Sequence, residues 1–164
     1  MTIILKNKYT LQIDDFFFKC SIGKNGLTKK KIEGDKKTPR GTFGIDCLYY
    51  RSDRINKPQT TLKCKKIFKN MGWCDDVKYP KKYNQLIDIK DKCKHEKLKR
   101  SDHRYDLFIP IKYNFLNPTV GLGSAIFIHV TKDYKPTAGC IAVSKNDFII
   151  MLKIIKKETK IRIL

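Results

Sequence analysis

A chain of 164 residues with 41% hydrophobic and 11% aromatic residues carries enough apolar material to bury a core without disulfides, and is not a disordered sequence. Its net charge of +20, from 36 Lys and Arg against 16 Asp and Glu, favours anionic partners. Most of the cations are scattered lysines and no arginine-rich or interleaved basic and aromatic motif appears, which argues against specific nucleic-acid recognition.

One compact domain spanning residues 1–164 is the expected organisation. Ile3 to Leu5 and Tyr9 to Ile13 are β-rich runs around a polar turn, which predicts an opening hairpin, and Phe16 to Ile22 is a third run ending in the turn "GKNG". Glu33 to Ile45, "EGDKKTPRGTFGI", reads as a loop leading into a strand that continues through Tyr49 and Tyr50. From Arg51 to Asn117 the chain is lysine-rich and loop-like, with strands expected near Thr60 to Leu62, Ile67 to Asn70 and Leu107 to Tyr113; a region of this kind suits a lid or a substrate surface. Ser124 to Val130 and Gly139 to Val143 read as short apolar strands. Ser144 is placed to cap a helix over Phe148 to Ile155, and Lys160 to Leu164 alternates as a closing strand. The fold class is therefore mainly β, a largely antiparallel sandwich or barrel-like sheet with one C-terminal helix.

Six cysteines occur without a C-x-x-C pair, which argues against a zinc ribbon or a thioredoxin-like motif and suggests mostly free thiols. The amino terminus lacks the apolar run of a signal peptide, and "FIIMLKII" is broken by Lys153 and too short to span a bilayer.

Chemistry concentrates in "IFIHVTKDYKPTAGCIAV", Ile126 to Val143. Strand parity puts Phe127 and His129 on one face, and Cys140 and Ala142 on one face of the next strand. If the two strands pair antiparallel around Thr131 to Ala138, His129 and Cys140 meet with β-carbons about 5 Å apart. A neighbouring imidazolium would then lower the thiol pKa and supply thiolate, the imidazole would protonate a leaving amine, and backbone N–H groups around Gly139 would hold an oxyanion. The competing reading is two structural residues brought together by a hairpin.

"HVTKDYKPTAGCIAV" resembles the signature of the L,D-transpeptidase catalytic (YkuD) domain, in which a His is followed by a short (Ser/Thr)-x-Gly-Cys element. "GKNG" and "EGDKKTPRGTFGI" resemble its Gly-Asp-x-x-Thr-Pro-x-Gly-x-Phe segment, and "GWCDD", "KYN", "HEKLKRSDHRYDL" and "GLGSAIFIH" resemble one branch of that family. The resemblance runs from about Gly23 to Leu152. It implies a cysteine acyltransferase acting on peptidoglycan tetrapeptide stems, with Cys140 as nucleophile, His129 as general base and acid and Gly139 contributing backbone. The product would be a 3-3 cross-link formed through a thioester, with no metal or organic cofactor. A water acceptor would instead make it an L,D-carboxypeptidase. A reading from another class is a non-catalytic basic domain that binds envelope polyanions. Cell-envelope or periplasmic work is implied, whereas the amino terminus leaves a cytoplasmic location open; the oligomeric state is not legible.

The chain departs from the family's better-known pattern at Ala138, where many members have His, at Ala142, where many have Arg or Asn, and in the short separation of His129 from Cys140. Arg100, Asp102, His103, Tyr105 and Asp106 form a polar cluster that either recognises charged groups of the stem or anchors its own loop, and Thr137 joins Arg100, Asp102, Tyr105 and Asp106 as a substrate-binding candidate. Asp35 and Thr38 are expected to stabilise turns, Asp75 and Asp76 to sit in a hydrogen-bonded turn instead of on a metal, and Cys20, Cys47, Cys64, Cys74 and Cys93 to be structural.

Overall fold

In the computed structural model, which describes residues 1–164, fifteen strands and one helix follow in chain order. They are β1 (Thr2–Asn7), β2 (Thr10–Ile13), β3 (Phe16–Ser21), β4 (Leu27–Thr28), β5 (Thr38–Pro39), β6 (Gly41–Gly44), β7 (Leu48–Tyr50) and β8 (Cys64–Lys66). Then come β9 (Met71–Cys74), β10 (Leu86–Asp88), β11 (His95–Lys97), β12 (Leu107–Pro110), β13 (Phe127–Val130), β14 (Ile141–Val143), α1 (Lys145–Ile154) and β15 (Lys160–Ile163). Ten strands form one sheet in the order β6-β15-β1-β2-β3-β14-β13-β12-β7-β8. The mainly β fold with a single C-terminal helix is as the sequence leads one to expect.

The hairpin β1/β2 and the antiparallel pair β2/β3 match the expected runs. The expected continuous strand through Tyr50 does not form. Only Ile45, Asp46 and Cys47 separate β6 from β7, yet β6 is an edge of the large sheet and β7 pairs with β12 near the opposite edge. The sheet must therefore curl until its ends approach, and the Lys112 N–H closes the gap by donating to Gly44 O at 2.8 Å. The strand breaks because one straight segment cannot belong to both ends of a curl.

The curl separates two cores. Alternation along β12 and β13 sends Leu107, Ile109, Ile128 and Val130 into a cluster of 25 buried residues. That cluster includes Phe148, Met151 and Leu152 of α1, and each such fully buried side chain contributes roughly 1.5–3 kcal/mol. Phe108 and Phe127 point to the other face, into a cluster of nine with Tyr49, Trp73, Tyr105 and Cys140. Ser144 Oγ accepts the Asp147 N–H at 3.0 Å, so the helix begins at Lys145, earlier than Phe148, because a capping serine commits the residues directly after it.

Between Arg51 and Asn117 the strands fall at β8 to β12 instead of at Thr60 to Leu62 and Ile67 to Asn70. β10, β9 and β11 make a small separate sheet. Buried Asn84 locks it to the main body: its Oδ1 accepts from Trp73 Nε1 at 2.9 Å and from the Ala125 N–H at 3.0 Å, and its Nδ2 donates to the Tyr113 and Asn114 carbonyls. The residues of "GWCDD", "KYN" and "GLGSAIFIH" thus meet at one polar side chain. All four of its hydrogen bonds are made in the interior, where an unmade one costs about 1–3 kcal/mol.

Candidate active site

The two strands that carry His129 and Cys140 are neighbours, but they run parallel, not antiparallel. β13 is only four residues long, so the segment after it can walk back along its length and re-enter the sheet in the same direction, with β14 taking β3 as its other partner. Asp133 and Tyr134, both left-handed at φ 54° and 53°, make the return turn, and the Tyr134 N–H donates to Thr131 Oγ1 at 2.9 Å. In this register Ile128 lies opposite Ile141 and His129 opposite Ala142, so Phe127 stands beside Cys140. The expected spacing of about 5 Å between the His129 and Cys140 β-carbons becomes about 8 Å, one strand spacing across and two residues along. The shared face survives, and both side chains open into one cavity of about 510 Å³.

The loop that leads into Cys140 is fastened by the glycine-rich segments upstream. The Thr137 N–H donates to Ile22 O at 2.9 Å, the Lys24 N–H to Thr137 O at 2.9 Å, and the Gly23 N–H to Thr38 Oγ1 at 2.9 Å. Thr137 Oγ1 donates to Cys140 O at 2.6 Å and accepts the Gly139 N–H at 3.1 Å. Gly139 has φ 139°, and a β-carbon there would lie 3.0 Å from Lys37 O. Asp35 accepts the Ile32 and Lys37 N–H groups at 3.0 and 2.8 Å and the Lys31 ammonium at 2.6 Å, the turn-building role expected of it. A β-carbon on Gly23 would stand 2.5 Å from Lys36 O and 2.9 Å from Thr38 N, both backbone. Gly23→Ala is therefore expected to cost about 1–3 kcal/mol, read as a Tm lower by roughly 2–12 °C. An unchanged Tm would show that the loop is not held here.

Cys140 Sγ accepts the Phe127 N–H at 3.3 Å and donates to Ala125 O at 3.2 Å; no hydrogen bond joins it to the imidazole. Ala125 is left-handed at φ 50°, so the strand expected from Ser124 begins only at Phe127, and the Ala125 carbonyl faces the thiol. His129 Nδ1 lies 2.8 Å from Val130 O, an acceptor only, so Nδ1 carries the proton and Nε2 is the basic nitrogen of the neutral ring. Tyr105 meets the imidazole edge to face at 5.4 Å between centroids and donates its hydroxyl to Glu96 Oε1 at 3.1 Å.

Burial holds the His129 imidazole down at about 4; the Val130 carbonyl opposes this, and Arg104 and Arg100 add to it. Burial likewise pushes the Cys140 thiol up to about 12, against the Phe127 N–H, with Glu96 adding to the rise and Lys31 and Arg104 opposing it. In place of the expected resting imidazolium and thiolate, burial favours a neutral imidazole and a neutral thiol, because desolvation penalises either charge. Such a pair can react by passing the thiol proton to Nε2 as the sulfur attacks. The Cys140 N–H has no acceptor in the chain and is free to hold an oxyanion, whereas that of Gly139 is engaged by Thr137.

A pH profile follows from these shifts. His129 is in its basic form at all pH values above about 4, so kcat/KM is expected to stay flat from about pH 6 to 9 and to fall only towards about 4. Because the folded pKa lies below the ordinary 6.5, the associated stability is complete above 6.5 and is lost as pH drops towards 4, by about 3 kcal/mol. Thermal melting and rate measurements over this range check both; an acid limb at 6.5 would contradict the neutral pair.

The other residues singled out in the sequence divide. Tyr105 and Thr137 line the cavity. Arg100 pairs with Asp102 at 3.0 Å and with Glu96, itself a cavity residue, at 3.0 Å, Asp106 pairs with Arg54 at 2.9 Å, and Arg51 Nη1 donates to Arg100 O; Arg100, Asp102 and Asp106 lie outside the cavity wall and tie their own loop together. His103 Nε2 is 2.9 Å from Thr131 O. Asp76 accepts the Lys78 and Lys94 N–H groups at 3.0 and 2.9 Å, as a turn residue does. Arg104, which sequence reasoning passed over, does line the cavity. Its only signal there was membership of a charged run.

The family model of the L,D-transpeptidase catalytic domain (YkuD) matches residues 3–163. The chain belongs to this family. No curated protein and no solved structure matches it. For this L,D-transpeptidase family member the match indicates an L,D-transpeptidase-type enzyme family, and the curled, mainly β sheet with one helix agrees with the fold of the domain. No helix is long and apolar enough to cross a membrane.

Proposed function

We propose that the protein is a cysteine-dependent L,D-transpeptidase that joins peptidoglycan tetrapeptide stems in the cell envelope. Cys140 sulfur attacks the carbonyl carbon at the L-centre of the third stem residue while its proton passes to His129 Nε2. The tetrahedral oxyanion is held by the Cys140 N–H. The bond to the terminal D-amino acid breaks, its nitrogen takes the proton from His129, and a thioester to Cys140 remains. An amine of a second stem then attacks the thioester carbon and gives its proton to His129, which returns one to the departing sulfur, leaving a 3-3 cross-link. The scheme balances without a metal or organic cofactor.

The observation that carries this reading is the common cavity of His129 and Cys140, with Nδ1 fixed on Val130 O so that Nε2 is the base. Incubation with disaccharide tetrapeptides, followed by mass spectrometry, tests it. Cross-linked dimers with released D-amino acid are expected. Tripeptide monomers alone would make the protein an L,D-carboxypeptidase, and unaltered substrate with salt-sensitive polyanion binding would replace the enzyme by a basic binding domain.

A further inference from the structure

We propose that Arg104 binds the terminal carboxylate of the stem, so that the site selects stems that end in a free acid. This rests on the reading above, in which the terminal D-amino acid leaves. Its α-carboxyl carbon is three bonds from the scissile carbonyl carbon, within about 4 Å, so the cation that serves it must share the cavity with Cys140.

Among the cations of that cavity, Lys31 is buried and tied to Asp35 at 2.6 Å and to Ile32 O at 3.0 Å, and Lys94 faces Asp75 at 3.3 Å. Lys36, Lys132 and Lys135 are exposed at the rim, where flexible ammonium groups steer anions without fixing them. Arg104 is different. Its Nε and Nη2 donate to Asp102 Oδ2 at 3.0 and 2.8 Å, its N–H donates to Asp102 Oδ1 at 3.1 Å, and its carbonyl accepts the Val130 N–H at 3.0 Å. Both ends of the residue are thus fixed beside His129, while Nη1 has no acceptor and the side chain is 41% exposed. Its charge acts on both His129 and Cys140, as a group close to each must. Ala138 and Ala142, the small residues flanking Cys140 in the wall, offer no side-chain donor that could take the carboxylate instead. A guanidinium held on one edge by Asp102 and bare on another is a preorganised carboxylate receptor.

The test compares one tetrapeptide stem as its free acid and as its C-terminal amide, using the wild type, Arg104→Gln and Arg104→Lys, each checked by melting. The wild type is expected to lose about 10- to 100-fold in kcat/KM on the amide. Arg104→Gln should lose a similar factor on the acid, mostly in KM, and little on the amide, with Arg104→Lys recovering part of the loss. Calorimetry in a Cys140→Ala background should show the same preference for the acid, without turnover. Equal losses on acid and amide, or no loss on the acid, would overturn the assignment. A wild type that turns over neither substrate would instead overturn the reading of the function on which it rests.

Discussion

Cys140→Ser is expected to lower turnover of a tetrapeptide stem by about 10⁴-fold or more while leaving the fold intact. A serine keeps a small polar side chain between the Phe127 N–H and Ala125 O, the two groups that now hold the sulfur. What it removes is the polarisable sulfur, the nucleophile of the proposed mechanism. A hydroxyl is far less acidic than even a thiol pushed up to about 12, so a neutral imidazole cannot extract its proton at a useful rate. Steady-state release of the terminal D-amino acid measures the loss, and retention of a tenth of wild-type turnover would contradict the role of the sulfur.

His129→Gln is expected to cost about 10²- to 10⁴-fold in kcat, the usual contribution of a positioned general base. In the proposed mechanism the base acts only by way of the thiol, so the double variant with Cys140→Ser should be no slower than Cys140→Ser alone. Independent, multiplying losses in that cycle would mean that the two residues do not work as a unit. The glutamine would also remove the buried imidazole, so the stability lost between pH 6.5 and 4 should shrink in this variant.

Local chemistry carried much of the fold into the sequence. The hairpin β1/β2 is set by alternation around a polar turn, and the helix by a serine whose hydroxyl reaches the Asp147 N–H. What could not be read depends on partners far away in the chain. The parallel pairing of β13 and β14 is decided by β3, which occupies the other side of β14, and the break between β6 and β7 is decided by the curl of the whole sheet. The short strands β8 to β11 carry no alternation of their own and are placed by contacts such as that of Trp73 with Asn84.

The site divides in the same way. Parity together with an assumed antiparallel pairing led to a common face for His129 and Cys140, and the common face holds in the parallel register, where His129 lies opposite Ala142. Their charge states are not legible in the same way, because burial favours the neutral forms, and burial is a property of the packed core that spacing does not reveal. Arg104 was invisible for a related reason: within "DHRYDL" it is one charge among several, and only the clamp of Asp102 on its Nε and Nη2 turns it towards the cavity.

The most direct measurement is the intact mass of the protein after brief exposure to a tetrapeptide stem, followed by peptide mapping. The account predicts an adduct equal to the stem less its terminal D-amino acid, on the peptide that carries Cys140, sensitive to hydroxylamine and absent from Cys140→Ser. Stem turnover with no adduct on Cys140, or an adduct on another cysteine, would contradict it.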